Sequence, residues 1–101
     1  MDKKRLDKMS RIIIPVLKRN DVKRAGIFGS FARGEEGKDS DIGILVMFKG
    51  RKSLLDLAGL KMELEEAAKR KVDAITYKSL NPLLKDIILK EEVRIYDESQ
   101  K

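Results

Sequence analysis

Apolar side chains recur along this chain with two different periods, and the alternation of those periods lays out its elements. Leu6, Met9, Ile13, Val16 and Leu17 sit at helical spacing, which predicts a first helix over roughly residues 3–20. Pro15 falls inside it and removes a backbone donor, so a kink or interruption is expected there. Asn20-Asp21 ends the helix, and Val22–Phe28 reads as a short strand. Gly29-Ser30 breaks the pattern, and a polar segment from Phe31 to Ser40 follows, with Gly34 and Gly37 inside it. Asp41–Phe48 is apolar at successive positions, the mark of a strand covered on both faces.

Ser53 is a suitable N-cap for a second long helix to about Lys69, with Leu57, Leu60, Leu64 and Ala67 on one stripe. Lys71–Thr76 reads as a third strand. Asn81-Pro82 pairs an N-cap with proline at the first helical position, opening a helix to about Glu91. Val93–Tyr96 closes the chain as a short strand. The expected order is α-β-(short α)-β-α-β-α-β, an α+β fold with one mixed four-stranded sheet covered by helices. No linker, repeat or low-complexity stretch divides it, so residues 1–101 are expected to form one domain.

Composition narrows the chemistry. The 101 residues are 42% hydrophobic and 40% charged, and they include no Cys, His or Trp. Cysteine nucleophiles, histidine acid–base catalysis, Ser-His-Asp triads and Cys/His zinc sites are therefore excluded. What remains (Asp, Glu, Ser, Thr, Tyr, Lys and Arg) suits phosphate and hard-cation chemistry. No apolar run approaches a membrane span, and no apolar segment follows the basic N-terminus, so a cytoplasmic protein without membrane contact is expected.

The net charge of +6 is concentrated in residues 1–24, which hold nine Lys or Arg against three Asp, leaving the rest neutral. A basic patch fits nucleic acid or an acidic partner. None of the five aromatic residues interleaves with it, which argues against base stacking and favours a solvated helix face.

Three features carry candidate chemistry. The turn Phe28-Gly29-Ser30 follows a strand, where glycine admits close backbone approach and the following turn offers N–H groups to a phosphate. Asp41 opens the next strand, a rigid position from which to hold a hard cation. Asp73 puts a carboxylate into the apolar run Val72-Asp73-Ala74-Ile75, where it needs a metal or a Lys or Arg partner. Each feature alone is common; the three together are not.

The run Ile27-Phe28-Gly29-Ser30-Phe31-Ala32-Arg33-Gly34, followed by Lys38-Asp39-Ser40-Asp41-Ile42, resembles the minimal nucleotidyltransferases of the DNA polymerase beta superfamily. Their signature is Gly-Ser, a gap of about ten residues, then Asp-x-Asp; residues 31–40 make that gap here. The Val72-Asp73 strand, the Ser79-Leu80-Asn81-Pro82 turn and the closing Val93-Arg94-Ile95-Tyr96 fit the same layout, so the resemblance spans nearly the whole chain. It implies that Gly29 and Ser30 cradle the triphosphate of ATP, and that Asp41 and Asp73 are catalytic acids and ligands of Mg2+, or of Mn2+ in its place. Asp73 would also activate the attacking hydroxyl. Arg33 reads either as a phosphate contact or as a salt-bridge partner of Glu35 or Glu36.

The resemblance breaks at one position. The second acid of Asp-x-Asp falls on Gly43, although a period of two puts residues 41 and 43 on one face, where a pair of acids grips two ions. Asp39, two residues before Asp41, is a remote substitute, and Glu35 or Glu36 would need the loop to rearrange. Two functions follow from the resemblance. One is Mg-dependent transfer of AMP from ATP to a hydroxyl, with a tyrosine of a small helical HEPN toxin as acceptor and this chain as antitoxin, impaired by Gly43. The other is a catalytically inactive nucleotide-binding antitoxin or scaffold that acts by contact. Homo- and hetero-oligomers are both compatible with the sequence.

Overall fold

The computed structural model describes residues 3–34 and 41–98. Helix α1 (Lys3–Arg19) leads into strand β1 (Val22–Phe28), the single-turn helix α2 (Ser30–Arg33) and strand β2 (Ile42–Phe48). Helix α3 (Leu54–Ala68), strand β3 (Val72–Thr76), a 3-10 turn (Tyr77–Ser79), helix α4 (Pro82–Glu91) and strand β4 (Val93–Asp97) complete the chain. The strands form one mixed sheet in the order β3-β2-β1-β4, with β2 parallel to β3 and both other pairings antiparallel. The expected α+β order and four-stranded sheet are both present.

Helices α1 and α3 cover one face of the sheet. The stripe Leu6, Met9, Ile13, Val16 and Leu17 is buried, and it meets Ile27, Ile42, Ile44 and Val46 together with Leu60 and Leu64 of α3. Burial of this apolar surface is the main driving force for the fold. Every residue of β2 from Ile42 to Val46 is buried, as its unbroken apolar run predicts. Edge strand β3 is more open: Val72 is buried, Asp73 is exposed and the rest are half-buried.

Pro15 does not interrupt α1, which runs through it. The proline is exposed, so the Arg11 carbonyl it leaves without a helical donor faces water and the cost is small. The helix ends at Arg19, and Asp21 in the turn after it adopts the left-handed region at φ 57. Ser53 caps α3 as expected: its Oγ accepts from the Asp56 N–H, and Asp56 Oδ2 accepts from the Ser53 N–H at 2.8 Å. That backbone bond holds the Asp56 carboxyl below its usual pKa. Asn81 Oδ1 likewise accepts from the Leu83 N–H at 2.9 Å and starts α4. Unlike α1 and α3, α4 buries none of its residues.

The 3-10 turn at Tyr77–Ser79, leading into the expected Ser79-Leu80-Asn81-Pro82 turn, was not foreseen from the sequence. There the Tyr77 hydroxyl donates to Glu92, which also accepts from Arg94 Nε at 3.3 Å. Burial, and then the bond to Glu92, raise the Tyr77 pKa above its ordinary value. A raised pKa stabilises the fold below the phenol's unfolded value of about 10 and loses that contribution as pH rises beyond it.

Two outcomes test this packing. Ile13→Ala should lower the unfolding free energy by about 3 kcal/mol in urea denaturation, whereas Leu55→Ala, at an 83% exposed position, should change it by less than about 0.5 kcal/mol. Thermal unfolding followed from pH 9 upward should fall less steeply in Tyr77→Phe than in the unaltered chain, because the substituted ring has no proton to lose.

Candidate functional site

The site is built where β1 ends. Gly29 turns the chain at φ 83 and ψ −156, a backbone conformation that strains any residue with a Cβ although the space around it is open. The turn is anchored from below. Phe31 and Ala32 of α2 are buried in the core, and the Arg70 guanidinium lies 5.3 Å from the centroid of the Phe31 ring. Gly34, at φ 74, ends α2 with its N–H donating to the Phe31 carbonyl at 3.3 Å.

Strand register then brings the acids to this turn. Gly43 pairs with Phe28 on one side and with Asp73 on the other. Ile42, Ile44 and Val72 point into the core under α1 and α3, so the period of two puts residues 41, 43 and 73 on the opposite face. There Phe28, Gly29, Asp41, Gly43 and Asp73 line one cavity of about 330 Å³. Lys61 and Lys71 line it too. Glu65 also lines it but is committed elsewhere: its Oε2 accepts from the Val72 N–H at 3.0 Å and pins the start of β3.

Gly43 is where the geometry says most. A Cβ built there would lie 2.8 Å from two carbons of the Phe28 ring. The aromatic side chain therefore fills the space that an acid at position 43 would enter. Asp41 and Asp73 flank this ring-covered glycine, and both are exposed. Exposure revises the burial argument for Asp73: β3 is an edge strand, so its carboxylate meets water and carries no large desolvation cost.

Of the residues expected to act, Gly29, Asp41 and Asp73 converge on the cavity. Ser30 follows Gly29 at the turn but lies outside the cavity lining. Arg33 lies outside the cavity lining, and its Nη1 donates to Glu91 Oε2 at 2.9 Å, a salt bridge to α4. The alternatives Glu35, Glu36 and Asp39 lie outside the described residues. Sequence reasoning gave no role to Phe28, Lys61 or Lys71. The pairing of Phe28 with residue 43 follows from strand alternation once the register is known; nothing in the sequence marks the two lysines.

The donor set suits one hard divalent cation. Two exposed carboxylates beside a phosphate-sized cavity match the habit of Mg2+, which keeps several waters and takes one or two carboxylates plus substrate oxygens. Among the described residues, no three acids come together as a metal-holding cluster. No helix among them is long and apolar enough to cross a membrane.

Comparison with known proteins places the chain in a family. A sequence profile described as Polymerase beta, Nucleotidyltransferase matches residues 11–101. A Methanocaldococcus jannaschii protein to which protein adenylyltransferase activity is ascribed is 54% identical over 90 residues, covering 89% of this chain and 97% of its own. A structure ascribed to a minimal nucleotidyltransferase superposes with a TM-score of 0.77 at 35% identity, covering 92% of this chain and 95% of the other. At 20% identity, which shows the fold alone, a chain from a Shewanella oneidensis complex matches with a TM-score of 0.72, covering 93% of this chain and 74% of that one. That complex joins a tri-AMPylated HEPN toxin to an MNT antitoxin.

The contact between Phe28 and residue 43 has a direct test. Gly43→Ala should cost about 1–3 kcal/mol of stability, because the new methyl group must push the ring aside. In a Phe28→Leu background the same substitution should cost much less. Equal costs in the two backgrounds, in a double-mutant cycle by urea denaturation, would show that the ring does not occupy that space.

Proposed function

The chain belongs to the polymerase beta nucleotidyltransferase family, and from that premise we propose that it transfers AMP from ATP to a hydroxyl group presented by a partner protein. The observation that carries the proposal is the convergence of Gly29, Asp41 and Asp73 on one cavity beside a turn with accessible backbone. The acceptor we propose is a tyrosine of a HEPN-type helical toxin, with this chain as the antitoxin. Support comes from the fold shared with a chain of the AMPylated toxin–antitoxin complex. The setting is the cytoplasm, where ATP is supplied.

The reaction divides among the residues as follows. Backbone N–H groups at Gly29 and Ser30 receive the triphosphate, and Lys61 and Lys71 offset its charge from the cavity wall. Asp41 and Asp73 would hold one Mg2+, or Mn2+ in its place, which when bound neutralises the triphosphate and fixes its orientation. The acceptor oxygen attacks the α-phosphorus of ATP in line with the bond to the β-phosphate bridge. The new P–O bond forms as that bridge bond breaks, and pyrophosphate leaves. Asp73 takes the proton released by the attacking hydroxyl. Arg33 serves the phosphates only by leaving Glu91, so its place here is secondary.

Gly43 sets the rate in this account. With no acid at position 43 and the Phe28 ring over it, a second ion has no ligand of its own. Loss of that ion's contribution corresponds to roughly a hundredfold to ten-thousandfold in rate. The same observation favours a second reading, in which the chain binds nucleotide and neutralises its partner by contact without chemistry.

Intact-mass spectrometry of the HEPN partner after incubation with ATP and Mg2+ separates these readings. Slow AMP transfer is expected from this chain, with none from Asp41→Asn or Asp73→Asn. A gain is expected in Gly43→Asp, and a larger one in Gly43→Asp/Phe28→Leu, where the ring is out of the way. Undiminished transfer by Asp41→Asn would contradict the assigned site. Absence of transfer from every variant, while the partner remains neutralised, would establish the contact reading.

A further inference from the structure

A second concavity lies at the other end of the sheet. Strand β2 runs from the acid site at Ile42 to Phe48, so its seven residues place the two concavities about 20 Å apart. The second one is a groove of about 1230 Å³ between the loop after β2 and the 3-10 turn after β3. Small-molecule pockets usually occupy about 300–1,000 Å³, so this volume favours a segment of polymer over a metabolite.

Its lining has two parts. Phe48 and Leu57 are partly exposed within it, and Leu54 stands 84% exposed at its edge, on the first turn of α3. Around this apolar strip stand five cations and a single carboxylate, Glu98. Lys49 is paired with Glu98 at 2.9 Å and Lys52 with Asp21 at 3.0 Å. Lys23, Arg51 and Lys78 form no ion pair among the described residues, which leaves three uncompensated positive charges on the rim.

We propose that this groove binds an amphipathic helix of a partner protein, with aliphatic residues on its inner face and acidic residues along its flanks. The apolar strip takes the inner face, and Lys23, Arg51 and Lys78 meet the flanking carboxylates. Helix-in-groove recognition works in this way, through anchors at i, i+3, i+4 and i+7. Charge complementarity selects the acidic flanks and raises the association rate. A single-stranded nucleic acid fits the charge better than it fits the apolar surface: of the two aromatics in the lining, Phe48 packs against the core and the half-buried Tyr77 has its hydroxyl bonded to Glu92, so neither offers the open face that base stacking needs. The proposal is independent of AMP transfer, since none of these residues belongs to the acid site.

The test uses a fluorescent synthetic helix with leucines at i, i+3, i+4 and i+7 and glutamates beside them, against a peptide of the same composition in shuffled order and an oligouridylate. The patterned peptide should bind, with amide resonances shifting in residues 47–54 and 76–79 and not at Gly29 or Asp73. Arg51→Glu, Lys78→Glu and Leu54→Ser should each weaken it by about tenfold, and added salt should weaken it further. All three positions are exposed, and unchanged circular dichroism checks that each variant is folded. Equal binding of the shuffled peptide, shifts confined to other surfaces, or indifference to all three substitutions would overturn the proposal. Tighter binding of the oligouridylate at the same residues would overturn it in favour of nucleic acid.

Discussion

The antiparallel register between β1 and β2 decides more of this molecule than any other single pairing. It puts Ile27 beside Ile44 at the centre of the sheet and, one residue later, Phe28 beside Gly43 on the other face. The first pair belongs to the core under α1 and α3. The second closes the space where a family member with Asp-x-Asp would carry its second acid. A slip of one residue would exchange the two faces, exposing the core residues and burying the site. The core and the candidate site are therefore set by the same alignment.

The two faces of the sheet divide the labour. On one, α1 and α3 bury a continuous aliphatic cluster that fixes where β2 and β3 begin. On the other, the cover is thinner, and the strand ends are left open to solutes. Glu65 links the two, since it sits on a core helix yet holds the first N–H of β3 beside Asp73. The turn at Gly29 is rigid for a similar reason, being locked by the buried Phe31 and Ala32. A site supported in this way keeps its geometry even though its own residues are exposed. The large groove at the far end of the same strands is lined by five cations and one carboxylate.

Much of this was legible in the sequence because the signals were strong and local. The helical stripe from Leu6 to Leu17, the Ser53 and Asn81 caps and the apolar run of β2 each has one simple physical cause, and each is present as expected. The Gly-Ser turn with Asp41 and Asp73 was legible as a motif. What could not be read was pairwise. That Phe28 lies over Gly43 depends on register between two strands, and the bond of Arg33 to Glu91 joins residues distant in sequence. Continuity of α1 through Pro15 depends on that residue facing water, which periodicity alone left open. Exposure of Asp73 likewise depends on β3 being an edge strand, a matter of strand order that composition does not encode.

The central claim is that Asp41 and Asp73, separated by a glycine beneath an aromatic ring, make a site for a single divalent ion. Titration with Mn2+ in the presence of a non-hydrolysable ATP analogue, followed by paramagnetic broadening of amide resonances, tests it most directly. The account predicts saturation at one ion per chain, broadening centred on Asp41, Ile42 and Asp73, and its loss in Asp41→Asn. Saturation at two ions per chain, or broadening centred away from these residues, would contradict it.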